Sequence, residues 1–520
     1  MPGDRDAASP LWLRAEVAVG LSVFAYVTLR IVLLDITNDE LGALQDVYRR
    51  SLLECLSFAY VDAQNHFLTG LLSMAALRTL PFDEVISIRL PTLIGLGLYL
   101  VGTWRLSRLF GDRRLGFALF FALQANAFVL DFFGLSRGYG LAMGLMAISL
   151  AALGELVRAD GPVDGAGPLA HVAVLFAVLT VLAHLAFLNY FLGLVAVLAW
   201  PAIGAMSEAW RDSDRLWRRW GEILRRHAHL LYASALLAAF YVDRVIFLMA
   251  KDGLYFGGDR GFLIDTVGSL VERTLYDLAP PSPLVTALAL LTAAVYAAAL
   301  YAARWIARPG PAARLAVALG AAVAVMVVYA VALHAVVGIK FVQQRAAMMF
   351  IPLFLAQLGA TAAAAGGRWP RVAVAGLAAY SLLGLSQLNL THTVAWPVNA
   401  EIRDVVRDLG EVPRPQGQEV VVAVTDDFKS TLWFYIPRLL GLEVDPNFRD
   451  NYFLRDFGSL AVYSPTHGRA EDDKVFVQPT HYYLMTPGDY ASSPPPFAAE
   501  VVKRYPISGA VLLRRTDLAP

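Results

Sequence analysis

The chain begins with a polar, mixed-charge stretch over residues 1–15 and turns apolar over 16–34. Apolar runs of similar length recur at 90–108, 115–133, 139–156, 168–185, 187–206, 229–249, 283–303, 315–336, 347–365 and 372–388. A helix crossing a bilayer needs about 20 mostly apolar residues, because hydrocarbon offers its backbone N–H and C=O groups no other partners. The pattern therefore predicts about eleven transmembrane helices. The run over 66–80 is apolar but short, and predicts a helix that lies at the interface or dips into it. No small-residue cleavage site follows the first run, so it is expected to stay as the first span.

After residue 388 the pattern changes. Short β-type runs at 420–424, 432–436, 475–477, 501–502 and 510–513 alternate with turn-rich segments at 413–417 and 492–496, and 400–409 is an amphipathic helix. The expected organisation is a transmembrane module over 1–388 and a small extracytoplasmic α/β domain over 389–520. Residues 35–88 form the module's first outer loop, with juxtamembrane helices.

Composition strengthens this picture. The chain is 57% hydrophobic and 17% charged, where soluble proteins carry about 25% charged residues. Its formal net charge is zero, so nucleic acid is not an expected partner. The single cysteine, Cys55, excludes an intrachain disulfide and reads as a small apolar filler. Arginines cluster at 105–114, 211–226, 304–314 and 368–371. With an odd number of spans all four clusters fall on one side, which is cytoplasmic by the positive-inside rule, together with the N-terminus. Loops 35–88, 131–138, 251–282 and 337–346 then face outward, as does the C-terminal domain. The Ala- and Arg-rich, Lys-poor composition points to a high-GC bacterium, so the expected location of these spans is a bacterial inner membrane.

Four polar groups lie on the outer side. The first is Asp35-Ile36-Thr37-Asn38-Asp39-Glu40. A carboxylate beside a low-dielectric wall gains proton affinity and can act as a general base. The plainer reading is a helix start, with Asn38 as cap and Asp39 and Glu40 at the positive end of the dipole. The second is Asp62-Ala63-Gln64-Asn65-His66, which could bind a phosphate or metal, or simply hold an interfacial histidine in a loop. The third, Asp131-Phe132-Phe133-Gly134-Leu135-Ser136-Arg137-Gly138-Tyr139-Gly140, sets Arg137 on a glycine-flanked turn suited to a lipid phosphate. Its alternative is a snorkelling interface arginine beside a belt tyrosine. The fourth, Lys340 with Gln343, Gln344 and Arg345, is a second cationic group or an interface anchor. Arg30, late in the first span, can snorkel outward. No phosphate-binding loop of the Walker type, HExxH or CxxC pattern is present.

Taken in order, these residues resemble a family. Asp39-Glu40 after the first span, Asn65-His66 before a juxtamembrane helix, Arg89-Leu90-Pro91 opening the next span and Ser136-Arg137-Gly138-Tyr139 between two later spans are similar to the GT-C glycosyltransferases. Within them the likeness is to the bacterial branch related to aminoarabinose transferases and protein O-mannosyltransferases. It covers about residues 16–160 well and 335–365 loosely. One departure is Phe67, where the family often has proline.

The resemblance implies an inverting single displacement. An acceptor on a lipid, glycan or protein attacks a sugar carried on a polyprenyl phosphate delivered from the bilayer. It implies Asp39 as general base with Glu40 as partner or alternate base, and Arg137, Arg345, Tyr139, His66 and Lys340 around the donor phosphate. No cofactor is required, although some members use a divalent metal, for which Asp62, His66 and Asp131 could supply ligands. Two other readings stand beside this one. A lipid or glycolipid transporter would show repeats and charges at the bilayer midplane, and a non-catalytic envelope-assembly scaffold would use the C-terminal domain as its binding module.

Overall fold

A computed structural model describes residues 10–57, 66–159, 167–211, 216–251, 256–278, 280–305, 310–413, 420–444, 454–464, 480–492 and 498–517. The helices up to the middle of the chain are α1 (Pro10–Leu33), α2 (Asn38–Ala43), α3 (Leu52–Ser57), α4 (Phe67–Thr79), α5 (Glu84–Ser107), α6 (Arg113–Gln124), α7 (Ala127–Asp131), α8 (Tyr139–Arg158), α9 (Pro168–Ala183) and α10 (Leu188–Arg211). They continue with α11 (Leu216–Arg226), α12 (Ala228–Ala250), α13 (Ser269–Thr274), α14 (Ser282–Trp305), α15 (Pro311–Val337), α16 (Phe350–Ala365) and α17 (Trp369–Leu385). The C-terminal elements are α18 (Ile402–Glu411), β1 (Val420–Val424), α19 (Asp426–Leu440), β2 (Leu454–Asp456), β3 (Leu460–Tyr463), β4 (Tyr482–Met485), α20 (Pro487–Ser492), β5 (Ala499–Arg504) and β6 (Val511–Arg515). By internal contacts the chain forms two units, Met1–Ile31 with Asp46–Leu388, and Val32–Gln45 with Asn389–Pro520.

The first unit is helical and built for a membrane. Among the described residues, eight helical segments are long and apolar enough to cross one: α1, α5, α8, α10, α12, α14, α15 and the 22-residue stretch Gln344–Ala365 that ends in α16. The protein is thus a multi-pass membrane protein. Two more expected spans, α9 and α17, are shorter, at 16 and 17 residues, which rise about 24 and 26 Å. The apolar run at 115–133 is not one helix. α6 stops at Gln124, and Asn126 starts α7 by accepting from the Val129 N–H at 2.8 Å and donating to the Tyr380 hydroxyl at 2.6 Å. Gly384 of α17 sits against this break, where a Cβ would lie 2.0 Å from the Ala125 carbonyl oxygen.

α8 is the hub of this unit, buried along nearly its whole length. Its backbone touches that of α5. A Cβ on Gly144 would lie 2.0 Å from the Gly95 carbonyl oxygen, and one on Gly102 2.5 Å from the Ala147 carbonyl carbon. Small residues at such seams let membrane helices approach until dispersion forces act over their full length.

The polar residues of this unit gather at two ends. At one end the Glu16 carboxylate meets Arg108 at 3.1 Å and Arg113 at 2.8 Å, and accepts from Trp104 Nε1 at 2.9 Å. Nearby, Arg105 pairs with Glu155, and Arg314 donates to the carbonyls of Val157 and Arg158 at 3.0 Å each. The starts of α1, α6 and α15 and the ends of α5 and α8 therefore share that end. Arg30 belongs to the other end, 14 residues and about 21 Å along α1. It is fully buried rather than snorkelling.

The second unit is a six-stranded sheet of order β2-β3-β1-β4-β6-β5, with β1 parallel to both β3 and β4 and the outer pairs antiparallel. β1 reads Val-Val-Val-Ala-Val and is buried throughout, as a central parallel strand must be. Helices α18 and α19 pack on each other. The run 432–436, expected as a strand, lies inside α19, whose start has Asp426 and Asp427 and whose C-cap is Gly441 at φ 65°. The strand expected at 475–477 lies outside the described residues. Residues 32–45 belong to this unit rather than to the helical one.

Candidate active site

The turn between α7 and α8 is fixed at every step. Asp131, at the end of α7, is 1% exposed; it pairs with Arg30 Nη2 at 2.5 Å and accepts from the Tyr276 hydroxyl through both oxygens at 2.8 Å. Thr92 Oγ1 donates to the Phe133 carbonyl at 2.6 Å, and Tyr48 bonds Ser136 Oγ at 3.2 Å. Gly138 has φ +74°, and a Cβ there would lie 2.9 Å from His66 Cγ and 2.8 Å from the Ala183 carbonyl oxygen. Only glycine fits both the backbone angle and the space. This clamps the turn onto His66 and leaves Arg137 4% exposed and Tyr139 5% exposed.

Three rings stack beside Arg137. The His184 ring lies 3.8 Å from that of Tyr139 and 4.1 Å from that of His66. His184 ends α9; its Nδ1 accepts from the Ala186 N–H at 3.2 Å, so in the neutral ring the proton is on Nε2. Among the described residues, Nε2 of His184 and Nε2 of His66 are buried and make no hydrogen bond. The positive charges of Arg137 and Arg345 bear on both rings. Burial, reinforced by His184, Arg137 and Arg345, holds the His66 imidazole well below its usual pKa range.

Arg345 follows a strained residue. Gln344 has φ 48°, unfavourable for a side-chain-bearing residue, and its N–H donates to Ser269 Oγ at 2.8 Å. The Arg345 guanidinium lies 4.3 Å from the centre of the Phe256 ring. Tyr276, which holds Asp131, is also left-handed, at φ 49°. Strained backbone of this kind gathers at functional sites, where surrounding structure maintains it.

Other expected site residues stand elsewhere. Lys340 is half-exposed and faces Asp259 at 3.9 Å. Asp62 lies outside the described residues. Asp131, considered as a metal ligand, is engaged by Arg30 and Tyr276 instead. Among the described residues no three His, Cys, Asp or Glu side chains come together as metal ligands.

Asp39 and Glu40 belong to the second unit. Thr37, not Asn38, caps α2: its hydroxyl accepts from the Glu40 N–H at 3.2 Å, while the Glu40 carboxylate accepts from the Thr37 N–H at 3.1 Å. This reciprocal capping box leaves Glu40 fully buried, with Asp39 beside it half-buried. The residue that sequence reasoning passed over is His184. An ionisable side chain ending an apolar run is its signal, because polar groups at membrane depth are costly to keep.

No family model matches the chain, and no curated protein matches it. Among solved structures, the chain is similar to a crystal structure of ArnT from Cupriavidus metallidurans bound to undecaprenyl phosphate, at 15% identity and a TM-score of 0.40, covering 99% of this chain and 100% of that one. It is also similar to the apo-state structure of the same protein, at 14% identity and a TM-score of 0.39, covering 96% of this chain and 97% of that one.

Proposed function

We propose that the protein is a membrane glycosyltransferase of the GT-C type. It transfers a sugar from a polyprenyl-phosphate donor to an acceptor hydroxyl or amine on the extracytoplasmic face. The observation that carries this reading is the buried group of Arg137, Tyr139, His66 and His184, with Arg345 acting on both histidines. Among the described residues His184 Nε2–H is a donor without an acceptor, and the charges of Arg137 and Arg345 bear on it. Such a group favours an anion, and a phosphate delivered within the membrane is the anion whose charge grows as a glycosyl bond breaks.

In this scheme the acceptor attacks the anomeric carbon as the bond to phosphate oxygen breaks, with inversion. Asp39 takes the acceptor's proton. The polyprenyl phosphate leaves carrying the bonding electrons, stabilised by Arg137, Arg345 and the His184 N–H. Glu40 holds the helix start through its capping box and leaves Asp39 as the base. The end bearing Glu16, Arg108 and Arg113 faces the cytoplasm, and the C-terminal domain lies outside.

The test is transfer of labelled sugar from a polyprenyl-phosphate donor by purified protein in lipid. Asp39→Asn and Arg137→Ala should each accumulate normally and lose transfer. Full transfer by Asp39→Asn would overturn the base assignment, and full transfer by Arg137→Ala the phosphate assignment.

A further inference from the structure

The acidic loop is bound to the C-terminal domain through side chains on both. The Asp35 carboxylate pairs with Arg403 Nε, and Arg403 Nη2 donates to the Leu33 carbonyl at 2.5 Å. The Ile36 N–H donates to the Tyr435 hydroxyl at 3.0 Å. The Asn38 N–H donates to Asn399 Oδ1 at 3.1 Å, while Asn38 Nδ2 and Asn399 Nδ2 both donate to the Asp427 carbonyl. Asn399 is 2% exposed, and Leu41 and Leu44 are fully buried.

This is more attachment than a six-residue helix gains from its own sequence. So short a helix is unstable alone, because its one or two internal hydrogen bonds do not offset the cost of nucleation. The capping box closes its first turn, and the domain supplies the rest. The knot at Asn38 lies one residue before Asp39, so a shift there moves the carboxylate with it.

We infer that the C-terminal domain holds the catalytic loop, with Asn399 and Arg403 as positioning residues for Asp39. The inference rests on the reading of Asp39 as base. Neither residue reacts. Asn399 fixes the loop backbone through the Asn38 N–H, and Arg403 fixes the exit from α1 through Asp35 and Leu33. The domain thereby has a task within the reaction, whatever acceptor it also meets.

The experiment uses the full chain in lipid nanodiscs, with transfer kinetics and amide hydrogen exchange of the peptide covering 36–43. Asn399→Ala and Arg403→Gln should raise exchange in that peptide and lower kcat by about 100-fold, the loss expected for a catalytic group misplaced by about 1 Å. Donor KM should stay nearly constant and exchange outside 36–43 should not change, which general unfolding would not allow, and Arg403→Lys should recover part of kcat. If Asn399→Ala does not accumulate, Asn399→Asp keeps the acceptor for the Asn38 N–H but sets a carboxylate oxygen against the Asp427 carbonyl, and should raise exchange in the same peptide. Unchanged exchange and kcat in these variants, with Asp39→Asn inactive, would overturn the positioning role. Full activity of Asp39→Asn would instead overturn the base reading, and the exchange data would still decide whether these residues hold the loop.

Discussion

At His184 the tautomer decides the chemistry. Nδ1 accepts from Ala186, so Nε2 carries the proton and points a donor into a buried space shared with Tyr139 and His66. In a water-poor site such a donor aimed at a developing charge is worth about 10²–10³ in kcat. His184→Ala should lose activity on that scale without losing protein, and kinetics within tenfold of wild type would remove His184 from the site. His66 gives a pH prediction. Burial and its cationic neighbours hold it neutral in the folded state, whereas the unfolded chain takes up a proton near pH ~6.5. Below that pH the unfolded state binds the extra proton, so stability falls with acid, by at most about 1.4 kcal/mol per pH unit. Above it His66 contributes no slope. Thermal unfolding in one detergent near pH ~7.5 and ~5.5 should show a smaller acid loss for His66→Gln than for wild type; equal losses would contradict the assignment.

At the scale of elements, the α5–α8 seam governs where the Arg137 turn sits, because α8 begins at Tyr139. A methyl group at Gly144 would meet the Gly95 carbonyl at 2.0 Å, against backbone that cannot yield as a side chain would. Gly144→Ala should therefore cost about 1–3 kcal/mol, as overpacking does, seen as a lower unfolding midpoint. An unchanged midpoint would show that the two helices separate freely. The same scale shows what periodicity carries and what it misses. Long apolar runs such as 139–156 and 315–336 announce membrane helices because length alone decides them. The run 432–436 is short, and a buried strand and a buried helix read alike over five residues; the acidic start at Asp426 and the glycine stop at Gly441 were the better guide. The break at Ala125 had no apolar signal, because it depends on Asn126 finding Tyr380, 254 residues away. Arg30 reads as a snorkelling side chain, although it is buried, for a similar reason. Its partner Asp131 is 101 residues distant, and spacing along one helix cannot show it. Arg137 and Tyr139 read as a motif because local turn chemistry carries them, and His66 as the polar residue before α4, whereas His184 enters only through the packing of α9.

For the whole molecule the open quantity is direction across the membrane. Contacts already place the starts of α1, α6 and α15 together with the ends of α5 and α8, through Glu16, Arg108, Arg113 and Arg314. Arg30, at the far end of α1, shares its end with Asp131 and Tyr276. What remains is which of these ends faces the cytoplasm. Arginine clusters resist translocation during insertion, so the Glu16 end should be inside. Cys55 is the chain's one cysteine, buried at 3% exposure, so Cys55→Ala gives a clean background for labelling. In that background Arg114→Cys, on an exposed residue at the Glu16 end, should react with a membrane-impermeant maleimide only after the cells are opened. Glu411→Cys, exposed at the end of α18, should react in intact cells. The opposite pattern would invert the protein and put the end that carries Arg30 and Asp131 on the cytoplasmic face. Labelling of both sites from outside would mean that an even number of spans separates them, against the odd number that the arginine pattern predicts.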